Sequence, residues 1–256
     1  MNCKEGAIPI SVSEPFSVNS NIYASPENER FYMRIAAALA DRIVSLNPQR
    51  ILEVGAGTGA ATVVLRRWFP AAEILATDPS NEMLAYNKKK PLTNTTFALL
   101  PAEAAAETKD RFGLVFGNIC YHWFRPGTAR TLAGLLDPGG VMAFSVPVSG
   151  PAKGDGNLIL LRICREIGVG DRHGKHLLSI SRLRREFAGL KSSVESVTIR
   201  ETLSPAFFGV LLRARGSWDF LFGSRAELAE DMWNRLTTGL SETTLHWNIA
   251  LVVARK

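Results

Sequence analysis

The chain has 256 residues, 46% hydrophobic and 21% charged, with a formal net charge of +6 at pH 7. These values suit one compact globular domain, with or without an insertion, and exclude fibrous, disordered and repeat classes. Cys3, Cys120 and Cys164 lie far apart without CxxC spacing, so a core must form without disulfides or a structural metal, in a reducing compartment.

The N-terminal MNCKEGAIPISVSEPF lacks a signal-peptide core and no apolar run reaches the length of a membrane span, which predicts a cytoplasmic protein. After this tail, Phe31, Ile35, Leu39, Ile43 and Leu46 recur at helical spacing, predicting an amphipathic helix from Glu27 to Leu46 that Asn47-Pro48 ends. RILEVGAGTG reads as a buried strand entering a glycine turn, and AATVVLRRWF as the helix after it. EILATD, TTFALL, RFGLVFGN and PGGVMAFSVP continue as strands, with helices at Pro79-Ser80 onward and in TARTLAGLL. Alternation of this kind implies an α/β, doubly wound, Rossmann-like parallel sheet, whose ligands bind beyond the strands' carboxyl ends.

Four regions are expected: 1–46 as N-terminal arm and helix, 47–150 as the cofactor-binding core, 151–190 as a helical cap insertion, and 191–256 as the C-terminal completion of the sheet. In that last region SSVESVTIRETL and TTLHWNIALVVARK alternate as two strands around helices, suiting an antiparallel hairpin at the sheet edge.

The turn Gly55-Ala56-Gly57-Thr58-Gly59-Ala60 can be scanned as GxGxxA, so a dinucleotide is the first candidate. Glu53 stands where a dinucleotide fingerprint carries an apolar residue. A carboxylate there suits a cationic, amino-acid-bearing ligand, and S-adenosyl-L-methionine is one. Gly55, Gly57 and Gly59 allow close backbone approach, since a Cβ would collide with the ligand. Glu53 anchors the ammonium, Asp78 meets the ribose hydroxyls, and Met83 packs on the adenine. The plainer reading makes the loop a tight turn and Asp78 a helix cap.

ILEVGAGTG, ILATDPSNEML, GNICYHWF and LDPGGVMAFSVP stand in the order and at the intervals of the class I S-adenosylmethionine-dependent methyltransferases, which this chain resembles across about 50 to 148. The resemblance implies that Ala102 and Glu103 lie by the adenine and Asn118 near the site of methyl transfer. The acidic residue that commonly precedes the Ala-Glu pair is Pro101 here. With the N-terminal FSVNSNIYASPENERFYMRIAAALADRI and C-terminal LHWNIALVVARK added, the chain resembles the malonyl-acyl-carrier-protein O-methyltransferases of biotin synthesis, and less closely the trans-aconitate methyltransferases. This implies carboxyl O-methylation, with Tyr23 folding over the pocket to hydrogen-bond the substrate carboxylate.

A carboxylate acceptor is ionised at pH 7 and requires no general base, so catalysis reduces to in-line positioning and exclusion of water. His122 and Trp123 suit a pocket wall, and His122 becomes a general base only if the acceptor is a phenol, amine or hydroxyl. Arg162, Arg165, Arg172, Lys175, Arg182, Arg184 and Arg185, with His173 and His176 between them, form a basic stretch that Arg213 and Arg215 extend. Such a rim could guide a strongly acidic acyl carrier protein; a solvated helix face is the alternative. A small carboxylic acid is the other acceptor considered, and a non-catalytic binding protein on the same fold the alternative to an enzyme. Nucleic acid ranks below these, because the basic stretch has almost no aromatics beyond Phe187.

Overall fold

Alternate residues along the apolar segments face opposite sides of one sheet, and both sides are covered. In the computed structural model, which describes residues 14–150, 154–169, 177–214 and 217–256, five strands run parallel. They are β1 (Arg50–Val54), β2 (Glu73–Asp78), β3 (Thr95–Leu99), β4 (Phe112–Asn118) and β5 (Leu136–Pro147). β6 (Lys191–Leu203) and β7 (Thr243–Arg255) pair antiparallel, and β7 is antiparallel to β5, giving the order β3-β2-β1-β4-β5-β7-β6. The doubly wound sheet with a C-terminal antiparallel hairpin is thus the architecture that forms.

Ile51, Leu114, Phe116, Val141, Ile249 and Leu251 lie on one face under α3 (Pro26–Ala40) and α4 (Ala60–Trp68). Leu52, Val115, Met142, Phe144 and Val252, one step out of phase, lie on the other under α6 (Thr128–Gly134) and α8 (Ile180–Glu186). α3 begins at Pro26 behind the N-cap Ser25, whose hydroxyl accepts from the Asn28 N–H. It ends at Ala40 and not at Leu46, because the chain tightens: the N–H groups of Arg42 and Ile43 bond three residues back, to Leu39 and Ala40. Ile43 stays buried through that turn.

The expected cap interval 151–190 does not pack as one body. α7 (Asp155–Glu166) joins α9 (Pro205–Ala214), α10 (Ser217–Phe222) and α11 (Ala226–Thr237) around a core of its own, where Ile163, Phe208, Trp218, Phe222 and Trp233 are buried. α8 lies against the sheet instead, with Leu183 and Phe187 inside the second core. The division follows from the apolar faces of α9 to α11, which α7 covers. Both buried indoles find acceptors: Trp218 donates to the Ala226 carbonyl at 3.2 Å and Trp233 to that of Pro205 at 3.1 Å. No helix among the described residues is long and apolar enough to cross a membrane.

Ahead of α3, α1 (Glu14–Val18) and α2 (Ser20–Tyr23) cross the carboxyl ends of the strands, where Tyr23 packs with Met83 and Ala214.

Candidate active site

β1 leaves the sheet at Val54 into a turn whose three glycines all have positive φ: Gly55 at 64°, Gly57 at 55° and Gly59 at 97°. Their reasons differ. A Cβ on Gly55 would stand 2.6 Å from the Cβ of Cys120, and one on Gly59 2.2 Å from Asn87 Oδ1, so these two are required by the protein's own packing. A Cβ on Gly57 meets nothing nearer than Met83 Cε, at 3.4 Å, and Gly57 lines the cavity beyond. Gly55 and Gly57 line the cavity, whereas Gly59 does not and is held to glycine by Asn87.

Asp78, at the end of β2, accepts the N–H of Gly57 on Oδ2 and that of Ser80 on Oδ1, each at 2.9 Å. Burial pushes its carboxyl up to about 6, against the opposing pull of these two N–H groups. The cap of α5 (Asn81–Asn87) is Ser80, whose hydroxyl accepts from the Met83 N–H at 3.2 Å. Asp78 is thus no helix cap; it fastens the glycine turn and lines the cavity.

Glu53 is 1% exposed on the α4 side of β1, and neither carboxylate oxygen has a hydrogen-bond partner. Thr62 of α4 is near enough to offset part of the cost but not in bonding geometry; its hydroxyl accepts from Asn87 Nδ2 at 2.9 Å. Burial first, and the neighbouring Asp78 charge after it, push the Glu53 carboxyl up to about 8. A buried carboxyl group without a partner costs stability, and such groups concentrate at functional sites.

A cavity of about 370 Å³ opens at the carboxyl ends of the strands, a volume that suits a small-molecule site. Gly55, Gly57, Asp78, Met83, Asn118, His122 and Tyr23 line it. Glu53, Gly59, Ala102 and Glu103 are not among its lining residues. Ala102 is buried in the second core, and Glu103 accepts the Arg125 N–H at 2.9 Å, bracing the loop before α6. The expected adenine contact of that pair is corrected accordingly: the Glu103 carboxylate holds a loop, outside the cavity lining.

Both ends of the Asn118 amide are engaged, Nδ2 donating to the Tyr32 carbonyl at 3.1 Å and Oδ1 accepting from the Ser145 hydroxyl at 2.7 Å. The next residue, Ile119, has φ 53°, costly for a β-branched side chain, and is held there by N–H bonds to the Ser145 carbonyl and hydroxyl at 3.0 Å each. Asn118 therefore shapes the loop, with one bond at each end of its amide, while it lines the cavity. Sequence reasoning did not find Ser145 or the strained Ile119, since nothing local marks them.

His122 is largely enclosed, its Nδ1 has no partner, and burial pulls it down to about 4, so the ring is neutral at physiological pH. An aromatic chain closes the mouth: Tyr32 stacks on Tyr23 at 5.9 Å, Tyr23 meets Phe16 at 5.7 Å, and Phe16 sits edge-on to Trp123 at 5.4 Å. At the far side Trp247 and Ile249 of β7 complete the lining. No Lys or Arg is among the described residues that line the cavity.

Of the basic stretch, Arg162 pairs with Glu166 at 2.6 Å, Arg182 with Glu186 at 3.0 Å, and Arg213 with Glu230. Arg165, Arg184 and Arg185 are exposed. Arg172, His173, Lys175, His176 and Arg215 lie outside the described residues.

The fold recurs in solved structures. The YcgJ protein from Bacillus subtilis aligns with a TM-score of 0.58 at 13% identity, over 86% of this chain and 97% of its own. Haemonchus contortus phosphoethanolamine N-methyltransferase 2, solved with S-adenosyl-L-methionine, aligns with a TM-score of 0.54 at 18% identity, over 97% of this chain and 61% of its own. Residues 51–140 match the model of a methyltransferase domain. Residues 51–140 are thus a methyltransferase domain.

This methyltransferase domain is 35% identical over 133 residues to trans-aconitate 2-methyltransferase of Methylobacterium radiotolerans, covering 50% of this chain and 49% of that protein. It is 28% identical over 134 residues to malonyl-[acyl-carrier protein] O-methyltransferase of Xylella fastidiosa, covering 51% and 44%. The chain thus spans about half the length of the curated relatives it matches.

Proposed function

We propose that the protein is a carboxyl O-methyltransferase that takes its methyl group from S-adenosylmethionine, and that its acceptor is malonyl-acyl-carrier protein, a step of biotin precursor synthesis. The observation that carries this reading is the division of the cavity. The Asp78 carboxylate and bare backbone line it at the glycine turn, uncharged rings make up much of the rest, and no Lys or Arg is among the described residues that line it.

The residues at the turn suit the cofactor. Asp78 offers the ribose hydroxyls a carboxylate fixed by two N–H bonds, Gly57 presents bare backbone, and Met83 beside it offers a flat apolar contact. Glu53, buried without a partner behind the turn and protonated on its own at neutral pH, would ionise against a bound ammonium or sulfonium and so supply the negative charge they call for. S-adenosylmethionine held there would supply a methyl on its sulfonium, which an acceptor oxygen could take with the carbon–sulfur pair left on sulfur.

A neutral His122, held well below the usual histidine range, is a poor general base at pH 7. The acceptor oxygen must therefore arrive deprotonated, as a carboxylate with a pKa of about 4 does. Tyr23 and the aromatic chain exclude water and hold the acceptor in line. A tricarboxylate such as trans-aconitate would bring two further charges against hydrocarbon, at high cost. A malonyl thioester carries one carboxylate on an uncharged arm, and the exposed Arg165, Arg184 and Arg185 suit an acidic carrier. A small carboxylic acid is the second reading, favoured by the identity to the trans-aconitate enzyme.

The test is mass spectrometry of malonyl-carrier protein, and of a panel of small acids and phenols, after incubation with the protein and S-adenosylmethionine. Methylation of the carrier species alone is expected. Transfer to a free acid rejects the carrier partner, and transfer to a phenol rejects the carboxylate chemistry.

A further inference from the structure

We propose that Trp247, anchored by Glu201, is the wall of the acceptor subsite and selects acceptors whose carboxylate ends an uncharged chain over compact polyacids. The proposal rests on the carboxyl-methylation reading above and names the residues that set its specificity. Trp247 is far from the glycine turn in sequence and reaches the cavity through β7. Its indole Nε1–H donates to Glu201 Oε2 of the adjoining β6 at 3.0 Å, and Glu201 is 5% exposed. Phe31 of α3 meets the indole at 5.6 Å, and the same ring packs against both the sheet core and the core of the helical body. The ring is thus fixed from several sides.

An anchored ring has a chemical consequence. With its N–H committed to Glu201, the indole shows the cavity a hydrocarbon face and no donor. Ile249, on the same side of β7, and Pro147, paired with it across β5, extend that face. A second carboxylate placed here would lose its water for no partner, with the Glu201 side chain and no cation behind the ring. An uncharged thioester arm meets neither penalty. Glu201 touches no reacting atom; it is a positioning residue.

The experiment compares wild type, E201Q, E201L and W247F. It measures KM and kcat for malonyl-carrier protein and for trans-aconitate, cofactor affinity by calorimetry, and thermal unfolding. E201L, which removes the anchor, is expected to raise the malonyl-carrier KM about tenfold and to narrow the preference over trans-aconitate. E201Q keeps an acceptor for the indole and is expected to stay within about twofold of wild type. Cofactor affinity should be equal in all four. Where E201L fails to fold, W247F decides: the flat ring remains, the anchor is lost, and KM should rise several-fold. An unchanged KM in the variants, or a KM that worsens in step with cofactor affinity, overturns the proposal. A wild type that binds cofactor and methylates neither acid removes the carboxylate reading and the wall with it, which differs from an active wild type with indifferent variants.

Discussion

The two ends of the cavity are made of different materials. At the glycine turn stand bare backbone and two buried carboxyl groups within one βαβ unit: Glu53 on β1 behind the turn and Asp78 on β2. Elsewhere the lining is made of rings, Phe31 and Trp247, from segments as distant as α3 and β7, while Tyr23 of α2 packs on Met83. The first end is a charge site and pays in stability for acids held without counter-ions; the second is a shape site that excludes water. Changes at the first should act on cofactor affinity, and changes at the second on the acceptor.

The largest effect is expected at Asp78. D78A removes the acceptor of the Gly57 and Ser80 N–H groups as well as the carboxylate proposed for the ribose. Losing charge-assisted bonds of about 1.5–3 kcal/mol each should weaken S-adenosylmethionine binding by about 100-fold or more in calorimetry. Were Asp78 only a stitch of the turn, binding would change little once the variant is shown to be folded. D78N, which keeps one acceptor oxygen, should fall between.

Glu53 should act in two directions. Its folded-state carboxyl titrates at about 8, against 4.5 ordinarily, so between those values the folded protein holds a proton that the unfolded chain has released. Stability therefore falls as pH rises through that window. E53Q removes the dependence: the ligand-free variant should gain roughly 3–6 °C in Tm at pH 8 and much less at pH 5. A bound cation would draw the proton off Glu53, which Gln cannot release, so the same variant should bind S-adenosylmethionine about tenfold more weakly. A variant both more stable and as good a binder would reduce Glu53 to a costly core residue and remove the charge from the cofactor end.

How much of this was legible in the sequence follows the same division. Strands β1 to β5, the glycine turn and Asp78 are local patterns, set by period-two apolarity and by a turn that needs positive φ. The position of Glu53 two residues ahead of the turn was legible; its lack of a partner was not, because Thr62 had first to be tied to Asn87. Ser80 looked no more like the cap than Asp78, and only geometry separates them. Glu103 was placed by family pattern and lies elsewhere because the Arg125 N–H captures its carboxylate. Trp247, Ser145 and the helical body shared by α7 and α9 to α11 depend on contacts between segments 26 to 89 residues apart, for which the sequence carries no local sign.

His122 also lines the cavity, beside Trp123, and the effect expected there is the smallest. Burial pulls the ring down to about 4 from 6.5, so in that interval the unfolded chain binds a proton that the folded protein refuses. Stability from this group is full above pH 6.5 and is lost as pH falls toward 4, which H122Q should flatten in unfolding measured at pH 7 and pH 5. A neutral side chain that only walls the site should cost less than about tenfold in kcat when replaced by Gln, with no change in the pH–rate profile between pH 6 and 8. General-base catalysis would instead cost about 100-fold to 10,000-fold and would remove a limb of the profile. That outcome would make the acceptor a protonated phenol or hydroxyl, and a carboxylate acceptor would be excluded at both ends of the cavity together.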